Sequence, residues 1–212
     1  MSHAEFDSPV PIPDSDSAPS AVVRKRPKPG ERRVQILQAL ATMLEQPGAE
    51  RITTAALAAR LEVSEAALYR HFASKAQMFE GLIEFIESSL FSLINQVAER
   101  ETDGAAQARA IVTLLLQFGE KNPGMTRVMV GDALVFENDR LQQRMNQFFD
   151  KVEASLKQCL RGAADAPTPT VDAAVRASVM TAFIVGRLQR FARSGFKRLP
   201  SEHLEASLSR IL

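Results

Sequence analysis

The feature that most restricts the fold lies between Ser74 and Arg100. Phe79, Leu82/Ile83, Phe85/Ile86, Leu90, Leu93 and Val97 return at intervals of three and four residues, the spacing that lines up side chains along one stripe of an α-helix. Ser74 stands where an N-cap is wanted. A helix this long with one apolar stripe must bury that stripe against other helices, and the rest of the chain supplies them. Val34, Leu37, Leu40/Ala41 and Leu44 mark a helix starting at Glu31 and closed by Pro47-Gly48. Thr53 or Thr54 caps a segment Ala55–Leu61, and Ser64 caps a short one through His71. Beyond the break at Asp103-Gly104, helical patterning covers Ala105–Glu120, Met125–Val130, Phe136–Arg161, Val171–Ser194 and Leu204–Leu212. Asn122-Pro123-Gly124 reads as a turn and Ala163–Thr170, with Pro167 and Pro169, as a loop. Strand-type alternation is missing and there is no internal repeat. The expected fold is all-α, with about nine helices.

Charge divides the chain more sharply than its net +1 suggests. Residues 1–23 hold four acids and no Lys or Arg; residues 24–76 hold ten Lys/Arg against five acids; residues 77–212 hold sixteen of each. The first segment, rich in Pro, Ser and Asp, is expected to be a disordered tail. The second has the local positive excess of a polyanion contact. It opens with the basic run Arg24–Arg33, placed to follow a DNA backbone or simply to be solvated. The expected domains are therefore a tail at 1–23, a DNA-binding head at 24–76 and a helical body at 77–212. One cysteine, Cys159, rules out an internal disulfide, and there is no zinc-type Cys/His cluster. No apolar run has the length of a membrane span, and no signal-peptide layout opens the chain. These features predict a cytoplasmic, reduced setting.

The chemistry concentrates in Thr53–Phe72, where two short helices flank a tight turn. Alanines 55, 56, 58 and 59 are expected to let the first helix pack closely, and Leu57, Leu61, Val63, Leu68 and Phe72 to form a small core. That leaves Ser64, Glu65, Ala67, Tyr69, Arg70 and His71 for the outer face of the second helix. Such a helix fits the DNA major groove with its N-terminal residues nearest the base edges. Ala66 and Ala67 permit close approach and can touch a thymine methyl. Tyr69, His71 and Lys75 can donate to phosphates, as can Thr53 or Thr54 with the free N–H groups of their helix. Each has a plainer alternative: Tyr69 packing at the hinge, His71 at the surface, Arg70 paired with Glu62 or Glu65.

Thr53–Phe72 followed by Ala73-Ser74-Lys75 resembles the DNA-binding head of the TetR family. The likeness implies a three-helix helix-turn-helix head on a helical dimerisation body. Leu82-Ile-Glu-Phe-Ile-Glu, Phe118-Gly-Glu-Lys-Asn-Pro-Gly and Ala133-Leu-Val-Phe-Glu-Asn-Asp-Arg-Leu-Gln extend it to a branch that acts in cell division. What this implies is a homodimer bound to palindromic chromosomal sites, and so nucleoid-associated, that antagonises assembly of the tubulin-like division protein FtsZ over the nucleoid. It further implies that the FtsZ C-terminal tail lies in a groove between Phe79–Arg100 and Ala105–Lys121, touched by Phe85, Leu114, Lys121 and Asn122. Leu93, Gln117 and Lys121 depart from that branch, which has arginine, glycine and arginine there. Ordinary core packing for Phe85 and Leu114, and turn closure for Lys121 and Asn122, are the alternatives.

Dimerisation is expected through Val171–Ser194 and Leu204–Leu212. Ala177, Val179/Met180, Phe183/Ile184, Arg187/Leu188 and Phe191 form a stripe that is either that interface or intramolecular core. A ligand-responsive repressor shares the head and differs only in the body, where it needs a large apolar cavity. An all-α enzyme lacks support: there is no Gly-rich phosphate loop and no carboxylate/His metal spacing, and the three histidines are His3, His71 and His203. No cofactor or metal is expected.

Overall fold

The computed structural model describes residues 30–46, 51–161 and 169–212. The tail 1–23, residues 24–29 of the basic run, Pro47-Gly48 and residues 163–168 of the expected loop lie outside the described residues. Within them are nine α-helices, one 3₁₀ turn and no strand: α1 (Glu31–Leu44), α2 (Thr54–Arg60), α3 (Glu65–Tyr69), α4 (Lys75–Arg100), α5 (Gly104–Lys121), α6 (Pro123–Met129), α7 (Asp139–Leu160), α8 (Pro169–Arg193) and α9 (Leu204–Ile211).

The caps fall where hydroxyls and carboxamides can serve free N–H groups. Thr53 accepts from Ala56 N, Ser64 from Ala67 N and Ser74 from Gln77 N. Asp103 is itself the cap of α5, accepting from Ala106 N, so Asp103-Gly104 starts a helix as well as ending one. The Asn122-Pro123-Gly124 turn is tighter than expected: Pro123 and Gly124 already belong to α6, Pro123 at a position that has no N–H to satisfy. Asn138 caps α7 through Arg140 N, so this helix begins at Asp139 and not at Phe136. Helix α8 begins at Pro169, so Thr170 is helical and not part of a loop.

Helices α1–α3 and the start of α4 share one small core built on Ile36, Leu40, Leu57, Leu68, Phe72 and Phe79. Two details of the expected packing change. Val34 is 53% exposed, because Ile36, Leu40 and Leu44 form the buried stripe of α1. Of the alanines in α2 only Ala58 is buried; Ala55, Ala56 and Ala59 face outward, since Leu57 and Ala58 already fill the contact face.

The body is a bundle in which α4 and α7 run away from the head and α5 and α8 run back towards it. Ile83, Ile86 and Leu90 of α4, Ile111 and Leu115 of α5, and Met145, Phe148 and Val152 of α7 are all but inaccessible to solvent. Ala177, Met180, Ile184, Leu188 and Phe191 of α8 join the same core. The buried members of that stripe are intramolecular core, whereas Phe183 and Arg187 are half-buried and Val179 looks outward with Val171 and Val175. These three valines, four residues apart, form an apolar line on the open side of α8.

Head and body are fastened at several points. Gly124 of α6 sits so close to α1 that a Cβ there would lie 2.0 Å from the Ala41 carbonyl oxygen. Arg127 of α6 is buried; its Nε donates to Asp132 at 2.8 Å and its Nη1 to the Leu44 carbonyl, at the end of α1, at 3.3 Å. Arg140 and Arg144 of α7 pair with Glu80 and Glu87 of α4 at 2.5 and 2.6 Å.

Candidate nucleic-acid interface and partner groove

The turn between α2 and α3 is held from within. Val63 N donates to Ala58 O at 3.0 Å and Glu62 N to Ala59 O at 3.1 Å, while Glu62 takes a left-handed conformation at φ 53°. A non-glycine there costs roughly 1 kcal/mol, which the closed turn must outweigh. Across it, the Thr54 hydroxyl donates to Glu65 at 2.5 Å and the Tyr69 hydroxyl reaches Thr54 Oγ1 at 3.5 Å. Thr54, Glu65 and Tyr69 thus form a polar clasp fixing α3 relative to α2.

Around the clasp, Thr53, Ser64, Glu65, Ala66, Tyr69 and Arg70 are exposed and Thr54, Ala67 and His71 are half-buried. All lie on the outer side of the two helices, as one surface. Tyr69 is 44% exposed although its ring is part of the hinge. Glu65 is engaged by the Thr54 hydroxyl. Lys75 differs from the rest: its ammonium binds Glu137, on the turn before α7, and stands 5.7 Å from the Phe79 ring centre. Arg33, the last of the basic run, is likewise turned inward. Its guanidinium donates to the His71 carbonyl and lies 4.1 Å from the Phe72 ring centre. Arg33 holds the head together, and Lys75 ties the end of the head to the body in this structure. Sequence periodicity carries no signal for pairs 38 and 62 residues apart.

On the body, a groove of about 530 Å³ runs along α5, with Leu93 of α4 and Glu205 of α9 at its sides, and not along a seam of α4 and α5 as expected. Leu114, Lys121 and Asn122 line it together, with Leu93 and Gln117. Phe85 is not among its lining residues. It lies two turns before Leu93 on the same face of α4 and is 48% exposed. Leu114 is half-buried and packs against the core as well as facing the groove. Asn122 does close its turn: its side-chain amide donates to Phe118 O at 2.8 Å. One wall of the groove is an ion pair, Arg109–Glu205 at 2.9 Å, which joins α5 to α9. A larger cleft of about 970 Å³ lies at the far end of the body, among the ends of α4 and α7 and the start of α5, with Asn95, Thr102, Asp103, Gln107 and Gln158 in its walls. Cys159 is in its lining, and burial pushes that thiol's pKa up. Among the described residues no His, Cys, Asp or Glu cluster could hold a metal ion, and no helix is long and apolar enough to cross a membrane.

Residues 36–82 match the family model described as bacterial regulatory proteins, tetR family. Residues 102–211, over half the chain, match the model described as tetracyclin repressor-like, C-terminal domain, of SlmA-like type. The chain belongs to the TetR family. Solved structures agree on the fold. This TetR-family chain superposes on the fatty acid degradation regulator FadR from Bacillus halodurans with a TM-score of 0.70 at 12% identity, covering 88% of this chain and 97% of that one. For the TetR-family regulator PfmR from Thermus thermophilus the TM-score is 0.66 at 20% identity, covering 85% and 95%. Within the family it falls in the SlmA branch. It is 54% identical over 177 residues to the nucleoid occlusion factor SlmA of Idiomarina loihiensis and 53% identical over 178 residues to that of Escherichia coli, in each case across 82% of this chain and 90% of the relative. It is accordingly a DNA-binding regulator built on a helix-turn-helix.

Proposed function

We propose that this protein is a nucleoid occlusion factor: a homodimer that binds palindromic chromosomal sites and, so bound, opposes FtsZ assembly over the nucleoid. The observation that carries this reading is the identity above 50% to nucleoid occlusion factors through head and body alike. Residues 24–76 act as the reading head and 77–212 as the body, with α4 crossing from one to the other. Ser64, Glu65, Ala66, Ala67 and Arg70 face the major groove. Thr53, Thr54, Tyr69 and His71 meet phosphates, and Lys75 does so by exchanging Glu137 for a DNA oxygen. The Val171, Val175 and Val179 line on α8 supplies the two-fold contact.

The FtsZ C-terminal tail lies in the groove beside Leu114, with Lys121 and Asn122 at its rim and Phe85 flanking its entrance. An apolar floor with a basic edge suits a short segment that has an apolar face and acidic flanks.

Genome-wide occupancy tests the function. Sites scattered along the chromosome and sparse near the replication terminus are expected; a single site beside the protein's own promoter would overturn it. For the partner, Lys121→Glu should leave DNA affinity unchanged and weaken FtsZ-tail binding about tenfold or more, a loss near 1.4 kcal/mol. Equal tail affinity in wild type and variant would remove the tail from this groove.

A further inference from the structure

The balanced charge of residues 77–212 conceals a second basic run. Arg187, Arg190, Arg193, Lys197 and Arg198 fall within twelve residues, and no acid occurs between Arg187 and Ser201. The run covers the end of α8 and the turn into α9. That turn is built rigidly. Ser194 Oγ accepts from Lys197 N at 3.1 Å and from Arg198 N at 2.9 Å, Phe196 N donates to Phe191 O at 3.0 Å, and the Phe191 and Phe196 rings pack 5.2 Å apart. Gly195 and Phe196 both take positive φ, 62° and 64°, to make the reversal.

The result is a cleft of about 690 Å³ whose walls include Arg187, Arg190, Lys197, Arg198 and His203. Arg187 is occupied, donating to Ser207 Oγ at 3.1 Å and lying against the Phe183 ring. Arg190, Arg193, Lys197 and Arg198 are exposed and have no acidic partner among the described residues. The carboxylate in the wall, Glu202, lies 3.7 Å from His203 Nε2. Four unpaired cations held on a folded turn repel one another, and a polyanion relieves that repulsion.

Position selects among polyanions. Helix α8 runs back towards the head, so its C-terminal end is the head-proximal end of the body. Ser201 bonds Glu120 near the end of α5 at 2.5 Å. Arg193, Gln189 and Ala192 share a small cleft with Gly131 and Asp132, and Asp132 is bonded by the same Arg127 that reaches α1 of the head. With the apolar line of α8 at a two-fold contact, the run and its symmetry mate lie near the middle of the dimer, on the side of the two heads.

We propose that this α8–α9 cluster is a second, sequence-independent DNA contact, which takes backbone phosphates of the duplex held by the heads. It adds affinity and counterion release without reading bases. The inference rests on the DNA-binding character of the family and on the α8 dimer contact proposed above, and is separate from the FtsZ reading.

The test measures binding of the full-length dimer to a duplex carrying one palindromic site over a range of salt concentrations. The variant is Arg190→Gln/Lys197→Gln/Arg198→Gln. Each lost phosphate contact lowers the slope of log K against log salt by about 0.9, so six substituted cations per dimer lower it by up to about 5. The affinity loss should be equal for cognate and scrambled duplexes, and Arg190→Lys/Arg198→Lys should keep the wild-type slope. An unchanged slope in a variant with wild-type thermal unfolding overturns the proposal. So does loss of binding to anionic phosphatidylglycerol vesicles with DNA binding unaltered, which would make the cluster a membrane contact. A selective loss on the cognate duplex would also overturn it, because that reports damage to the reading heads.

Discussion

Arg127 offers the sharpest test of how head and body are joined. Its side chain is only 9% exposed, and it serves two acceptors of different kinds. The Leu44 carbonyl lies at the C-terminal end of α1, where a cation also meets the negative end of the helix dipole. Asp132, by contrast, is 45% exposed, so water screens its pairing with Arg127. Arg127→Met removes the charge-assisted bonds and takes the guanidinium from a buried carbonyl, at about 1–3 kcal/mol. Lost pairing with a half-exposed carboxylate adds well under 1 kcal/mol, giving a total of about 1–4 kcal/mol, centred near 2–3. Asp132→Asn keeps an acceptor near Arg127 and should cost less than about 1 kcal/mol. Urea unfolding at a fixed protomer concentration, needed because a dimer's stability depends on it, measures both. For a chain of this size the Arg127 variant should melt roughly 4–10 °C lower. If Asp132→Asn costs as much as Arg127→Met, the ion pair and not the α1 carbonyl is what Arg127 secures, and the reasoning fails.

Two further outcomes are expected. Val175→Asp puts a charge in the middle of the exposed α8 line. It should shift the protein from dimer to monomer in sedimentation at micromolar concentration while each chain stays helical, and a persisting dimer would move the interface elsewhere. The Cys159 thiol, its pKa raised by burial, stays protonated to higher pH than a free thiol. Its alkylation by iodoacetamide should therefore be slower than that of a small-molecule thiol throughout the mildly alkaline range. An equal or faster rate would mean that the site is more open or more polar than it is drawn here.

Local signals carried most of the fold. Ser64 and Ser74 cap where a hydroxyl before an apolar period says they should, and α4 spans the length its stripe marked out. Errors came where two readings of one pattern compete. On α1, the series Val34, Leu37, Leu40/Ala41, Leu44 and the series Ile36, Leu40, Leu44 both have helical spacing, and only the packing of α4 and α6 decides between them. On α8, an apolar stripe facing the chain's own core and one facing a second copy look alike in sequence. Long-range pairs were invisible for a different reason. Nothing local to Lys75 or Arg33 says that Glu137 or the His71 carbonyl will come to meet them. The basic run in the body escaped notice because a sum over residues 77–212 averages it away.

The fastening of head to body has a mechanical consequence. With α6 wedged on α1 and α7 strapped to α4 by two ion pairs, each protomer is a stiff lever, and in the dimer proposed above its fulcrum is the open face of α8. The 26 residues of α4 give that lever an arm of about 39 Å. One degree of rotation at the fulcrum therefore swings a reading helix by about 0.7 Å. In that proposed dimer, the tolerance for the spacing of DNA half-sites is set by how smoothly a line of valines can roll on its mate, far from any base.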